Sequence, residues 1–417
     1  MIFPLGGWVL GLWACMVGCL VSSAMAAGSC AGYGDLVTNG GYGLFDLETK
    51  AVHGCNLDTL YVPASVLKLA TAYTAIQILG KDFRFETRFY QDAEQNLYLK
   101  GSGDPFLTSE AVAQIVETLK QLGLNRVHDL VIDDTAYALD EYAPGSAFSE
   151  NPYDAPVGAA AVNFNTVSFV VGGDNRVHTA EPQTPLLPLM LEKAQGKGQG
   201  QYRVNICSGD CRPQQAAAEY AAELFQAFFK EHNMLVTGGV TRKRVPENAR
   251  LLYVFQSAKT LEEMTASMLY YSSNFVANQI FLACGAHAYG APATWKKSIQ
   301  AERAVLGSIL GSDWAASAKI LDGAGLARGG RMSIRTTLEL LAHFFPYHSL
   351  LRKRQGVWVK SGTMENVYNY AGYLDEKTAF VIYLNQPENS RVQVLKRVQH
   401  QHSQNASNKN GHLSTCE

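Results

Sequence analysis

The chain is nearly without net charge. Its 35 Lys and Arg residues stand against 37 Asp and Glu, leaving −2 over 417 residues. That balance gives no sign of a nucleic-acid binder or of a polybasic membrane patch, so no nucleic-acid partner is expected. Charge is missing altogether from residues 1–34, and the first charged side chain is Asp35. Histidine is sparse, ten residues in all, with no His-Glu-x-x-His or comparable grouping. Cys207 and Cys211 have no second pair of ligands with zinc spacing. No metal and no cofactor is therefore expected. No internal repeat at solenoid or propeller periods is present. The 47% apolar content is globular, and the length allows two or three domains.

The uncharged start is itself a signal. An apolar run from Ile2 to Val21 leads into Ser22-Ser23-Ala24-Met25-Ala26. Small residues at 24 and 26 predict cleavage after Ala26, so residues 1–26 read as a signal peptide addressed to the periplasm or cell envelope. The run lacks Lys or Arg ahead of it and is long enough to stay as an anchor, which leaves peripheral or anchored membrane association open. Export permits disulfides. Six of the eight cysteines lie beyond the signal; Cys207 and Cys211 can close a small loop, and Cys30 and Cys55 can tie the N-terminal arm to the first hairpin.

Three short polar clusters carry the chemistry. In the first, Ser65-Val66-Leu67-Lys68, the stretch Ala64–Leu79 consists of helix formers that are apolar on nearly every face, the mark of a buried helix. Pro63 suits its first turn and Gly80 its end. Ser65 and Lys68 are three apart, so they share a face near the helix N-terminus. Desolvation and the positive end of the helix dipole both favour a neutral lysine amine, which can accept the serine proton. In the second cluster, Ser272-Ser273-Asn274 sits at the joint between a predicted helix over 261–271 and another from Phe275. Such a break aims short polar side chains into a cleft. The third, Lys360-Ser361-Gly362-Thr363, follows the strand signal Val357-Trp358-Val359. Residues 369–374 and 378–384 flank a turn at Asp375-Glu376-Lys377, an antiparallel hairpin pattern. A glycine inside a strand marks close approach by a ligand or another backbone. A free strand edge there can pair with an extended peptide and hold a carboxylate. Each cluster alone also fits a plain capping turn or a lysine-protected edge.

With its flanks, the set resembles the low-molecular-mass class C penicillin-binding proteins, the serine D-alanyl-D-alanine carboxypeptidases and endopeptidases. The resemblance spans residues 35–386 and includes Val62-Pro63-Ala64-Ser65, Gly101-Ser102-Gly103-Asp104-Pro105, Val131-Ile132-Asp133-Asp134, Asp154-Ala155-Pro156-Val157, Asn163-Phe164-Asn165 and Asp322-Gly323-Ala324-Gly325-Leu326. Ser65 and Ser272 stand 207 residues apart and Ser272 and Lys360 88, where compact β-lactamase-like enzymes have a far shorter first gap. The resemblance therefore implies an α/β multi-domain fold: a β-lactamase/transpeptidase-like domain, an antiparallel sheet flanked by helices, with a large inserted α+β region. Residues 27–82 and 258–386 form the catalytic part and 83–257 the insertion. A C-terminal helix and a polar tail, of disordered composition from Gln401, occupy 387–417.

The resemblance also implies roles. Ser65 attacks the carbonyl between two D-alanines of a peptidoglycan stem peptide, with Lys68 as base. Ser272 returns a proton to the leaving amine, tuned by Lys360. Asn274 holds the substrate amide and steadies Lys68, and Ser361, Gly362 and Thr363 form the substrate-binding edge, where the Ser361 and Thr363 hydroxyls bind the terminal carboxylate. The backbone N–H groups of Ser65 and Thr363 cradle the oxyanion. β-Lactam antibiotics become covalent inhibitors. Two departures stand out: Ser361 replaces the family's usual threonine, and Glu365 adds negative charge near the cleft. Two other readings compete, a serine β-lactamase and a non-catalytic peptidoglycan-binding scaffold. The long insertion argues against the first and the complete polar set against the second. The chain does not specify an oligomeric state.

Overall fold

Strand Thr378–Leu384 is buried along its whole length, because both faces of its sheet are covered. Its side chains alternate between two cores, as the period of a strand requires. Phe380, Ile382 and Leu384 pack with Val394, Leu395 and Val398 of the C-terminal helix Arg391–Leu413. Ala379, Val381 and Tyr383 join the main core, shared with Leu338 and Leu341 of helix Ile334–Phe344. The computed structural model describes residues 30, 32–139, 142–311 and 314–413, and of 405–413 the backbone alone. The expected signal segment and Cys416 lie outside the described residues.

The sheet has six strands, in the order Arg352–Arg354, Val357–Met364, Val367–Tyr373, Thr378–Leu384, Gly40–Asp46 and Val52–Cys55. All its pairings are antiparallel. The predicted hairpin is there, with Tyr373 opposite Ala379 and the Lys377 N–H donating to Asp375 in the turn. The outermost strand pairs with its neighbour only through Val359. From Lys360 onward the outer edge has no strand partner among the described residues.

The chain leaves this part and returns to it side by side. Strand Glu86–Gln91 pairs antiparallel with Arg250–Gln256, and the Ser257 N–H donates to the Phe85 carbonyl. These two strands and three from the intervening chain form a five-stranded sheet, and a separate hydrophobic cluster runs from Phe89 to Phe255. The intervening chain includes helix Ser109–Gln121 and strands Leu130–Asp133 and Thr166–Val171. Tyr137, Leu139 and Ala155 instead reach the main core, so this region presses one side against the helices that carry the polar clusters.

Two expectations changed. The nucleophile segment is not one helix: a 3-10 turn, Ala64–Leu67, precedes the α-helix Lys68–Leu79. Ala64 has φ 47°, the left-handed region that costs a non-glycine residue energy and clusters at functional sites. The C-terminal helix also runs on to Leu413, through part of the stretch whose composition reads as disordered. Tyr33 donating to Gln401, and His402 against Asp375, dock it past the apolar turns. Among the described residues no helix is long and apolar enough to cross a membrane.

Cys30 pairs with Cys55 and Cys207 with Cys211, while Cys284 is free and buried. The Cys30–Cys55 bridge closes a loop of sequence separation 25. Chain-entropy arguments assign such a loop about 3 kcal/mol. The double substitution of Cys30 and Cys55 by serine is expected to lower thermal stability by roughly that amount, read by calorimetry under non-reducing conditions. An unchanged melting temperature would count against the bridge.

Candidate active site

Lys68 opens its α-helix and is completely buried. Three oxygens surround its amine: Ser65 Oγ at 2.7 Å, Asn274 Oδ1 at 2.8 Å and the Ala324 carbonyl at 2.7 Å. The Asn274 and Ala324 oxygens can only accept, so a neutral amine spends its two protons on them and turns its lone pair to Ser65 Oγ. Burial pushes the Lys68 amine well below the ordinary lysine value, and the nearby Lys360 charge pushes it further; Asp322 pulls the other way. The first two effects favour the neutral amine, the form that can accept a proton from Ser65. Ser65 itself is part-exposed, on the tight turn.

The second cluster falls where the pattern of helix signals puts it. A capping box of Thr260 and Glu263 starts helix Leu261–Tyr271. Ser272 terminates it in the left-handed conformation, and Ser273 caps helix Asn274–Tyr289 through Val276 N. The sharp reversal turns Ser272 toward the sheet, where the Lys360 amine donates to its Oγ at 2.8 Å. It also turns Asn274 toward Lys68. The Asn274 amide donates in turn to the Tyr153 carbonyl, in the 3-10 turn Pro152–Asp154 of the intervening chain. Lys360 is nearly fully buried; burial first, then the charges of Arg354 and Arg391, lower its amine to about 7.

The third cluster lies on the strand Val357–Met364, with Lys360 and Gly362 buried and Thr363 exposed. The close approach at Gly362 is made by another backbone: a Cβ there would stand 2.6 Å from the Pro63 carbonyl oxygen. The glycine lets the strand lie against the nucleophile turn. Asn369, opposite Gly362, stitches the two by donating to the Val62 and Pro63 carbonyls. Gly362→Ala is expected to push strand and turn apart by several tenths of an ångström and to lower kcat/KM roughly 100-fold, with a smaller loss of stability. Steady-state kinetics beside a thermal melt check it; an unimpaired variant contradicts this packing.

Several residues were given no role from sequence. Asp322 accepts from the Ala324, Leu326 and Ala327 N–H groups, and Asn278 from that of Gly323. Thr71 donates to the Gly323 carbonyl. Together they pin the loop whose Ala324 carbonyl holds Lys68. Asp-Gly-Ala-Gly-Leu is visible as a motif, but its purpose is a contact made across 256 residues. Arg391 donates to Thr363 Oγ1 at 2.7 Å, and no local pattern announces it. A cavity of about 660 Å³ adjoins Ser272 and Asn274, with Tyr153, Phe106 and Phe164 in its wall. Another of about 690 Å³, beside Cys211, contains none of the site residues.

The Lys68 environment fixes a pH response. An amine whose value is lowered is neutral above that value and protonated below it, so acylation of Ser65 should rise with pH through it and then level. Lys360→Met removes a charge that lowers Lys68, and the acid limb of acylation should move to higher pH. Stopped-flow labelling with a fluorescent penicillin across pH tests this; a limb that stays put or moves to lower pH contradicts the coupling.

A buried serine–lysine pair, a second serine tied to a second lysine, and a free strand edge define a class: serine acyl-transfer enzymes that work without an imidazole. The comparisons agree. The family model for D-Ala-D-Ala carboxypeptidase 3 (S13) matches residues 45–201 and 207–353, and the chain belongs to that family. The match ends before Lys360, so the third cluster rests on the geometry. The chain is 24% identical to D-alanyl-D-alanine carboxypeptidase DacB of Haemophilus influenzae, over 81% of this chain and 83% of the relative. It is 26% identical to the D-alanyl-D-alanine carboxypeptidase of Actinomadura sp. strain R39, over 67% of this chain and 59% of that one. The fold matches the crystal structure of penicillin binding protein 4 from Haemophilus influenzae with a TM-score of 0.72, covering 87% of this chain and 94% of that one at 20% identity. A further structure of that protein holds a β-lactam. The architecture is thus the penicillin-binding, transpeptidase-like one with an inserted region.

Proposed function

We infer that the protein is a serine D-Ala-D-Ala carboxypeptidase, with DD-endopeptidase activity by the same chemistry, acting on peptidoglycan stem peptides in the periplasm. The three-way grip on the Lys68 amine, 2.7 Å from Ser65 Oγ, is the observation that carries this reading. Ser65 Oγ attacks the carbonyl of the penultimate D-alanine while Lys68 takes its proton. The oxyanion rests on the Ser65 and Thr363 N–H groups. Ser272, bonded to Lys360, passes a proton to the departing amine. Asn274 binds the substrate amide, and Ser361, Gly362 and Thr363 receive the peptide along the free edge. Water then releases the acyl-enzyme. β-Lactams acylate Ser65 in the same way, as the β-lactam complex of the Haemophilus relative suggests. In this reading residues 27–82 and 258–386 are the catalytic part and 83–257 the inserted one, supported by the latter's own hydrophobic cluster.

Digestion of purified uncross-linked and cross-linked muropeptides, with products identified by mass, tests the assignment. Loss of one terminal D-alanine marks the carboxypeptidase, and conversion of dimers to monomers the endopeptidase. Rapid steady-state turnover of penicillin with no action on muropeptides would replace this reading with a β-lactamase.

A further inference from the structure

We propose that Arg391 is a substrate-binding residue that, with the Thr363 hydroxyl, anchors the free carboxylate at the C-terminal end of the scissile dipeptide. The inference rests on the hydrolase reading above and names the group that selects its substrate. Arg391 lies outside the three polar clusters, at the start of the C-terminal helix. Its Nη1 donates to Thr363 Oγ1 at 2.7 Å and to the Gly362 carbonyl at 3.3 Å. A hydroxyl has a single proton. Because Thr363 Oγ1 accepts from arginine, its own proton is free to be donated outward, toward an acceptor at the strand edge. Thr363 is exposed there, and from Lys360 onward that edge has no strand partner among the described residues.

The charge of Arg391 is also unspent. No described carboxylate lies within ion-pair distance of it, and its Nε is buried without a hydrogen-bond partner. The guanidinium is nevertheless held in place. It stands 4.7 Å over the Tyr370 ring, and its helix is docked by Val394, Leu395 and Val398. Ser390, just before it, donates to the Leu36 carbonyl and accepts from Gln386. A rigid planar cation beside a free hydroxyl donor, with nothing anionic to satisfy either, is the arrangement that receives a carboxylate.

The test compares two probes, an N-acylated peptide ending in D-Ala-D-Ala as the free acid and the same peptide as its C-terminal amide. kcat/KM for each is measured with the wild-type chain, R391M and R391K. Methionine keeps an aliphatic stem over Tyr370, and a thermal melt verifies folding. R391M is expected to lower kcat/KM for the acid by about 10- to 100-fold, the range for a lost hydrogen bond to a charged group. The amide should change less than about threefold, and R391K should fall between. Equal losses on both probes, or no loss on either, overturn the proposal. A wild-type chain that cleaves neither probe and takes no penicillin sinks the hydrolase reading and this inference with it.

Discussion

Ser65→Ala abolishes both activities assigned to the site: no fluorescent penicillin survives denaturation on the variant, and release of D-alanine falls on the order of 10⁵-fold or more. The expectation follows from position. Ser65 is the hydroxyl within 2.7 Å of the buried Lys68 amine, on a turn that follows a strained alanine. Neighbouring hydroxyls cannot substitute. Ser273 is committed to capping Val276 N, and Ser272 is tied to Lys360. The change removes one exposed-side oxygen, so folding should be unaffected, and a melt of the acylation-dead variant checks that. Retained labelling in Ser65→Ala would move the nucleophile elsewhere. Absence of labelling in folded wild type would instead favour the scaffold reading.

Lys68→Arg and Lys68→Met separate a base from a mere anchor. A guanidinium keeps the positive charge and the donors but cannot give up its proton in a protein. If Lys68 acts as a base, both variants should lose about 10³- to 10⁴-fold in the acylation rate, measured by single-turnover penicillin labelling. Both should also lose the acid limb of its pH profile. If the lysine only binds or orients, arginine should rescue much of the rate. Comparable losses in the two variants support proton transfer, and a near-normal Lys68→Arg contradicts it.

Much of this arrangement was legible in the chain because it is local. Helix signals on either side of Ser272–Asn274 predicted a joint, and a joint is there. The β-branched run before Lys360 and the turn at 375–377 predicted a hairpin, and its register follows. What escaped notice depends on partners distant in sequence. The break between Leu67 and Lys68 cannot be seen in residues that all favour helix; it arises where Gly325 and Gly362 press against the turn. Gly325, at φ 72°, lies so close that a Cβ would meet the Ala64 carbonyl oxygen at 1.9 Å. Gly362 signalled close approach by a ligand or another backbone, and the approaching group is backbone. Asp322 spends its carboxylate on three N–H groups of its own loop, which no charge pattern shows. Arg391 reaches Thr363 across 28 residues through a helix whose position is set by apolar turns.

The central claim is that the amine at position 68 is uncharged when the enzyme meets its substrate. An NMR titration of the folded protein with isotopically labelled lysine side chains, the Lys68 signal assigned by its loss in Lys68→Met, reads that directly. A signal already neutral at pH 7, and protonating only well below the usual lysine range, is the predicted result. One that stays charged until about pH 10, like a solvent-exposed lysine, would contradict the account.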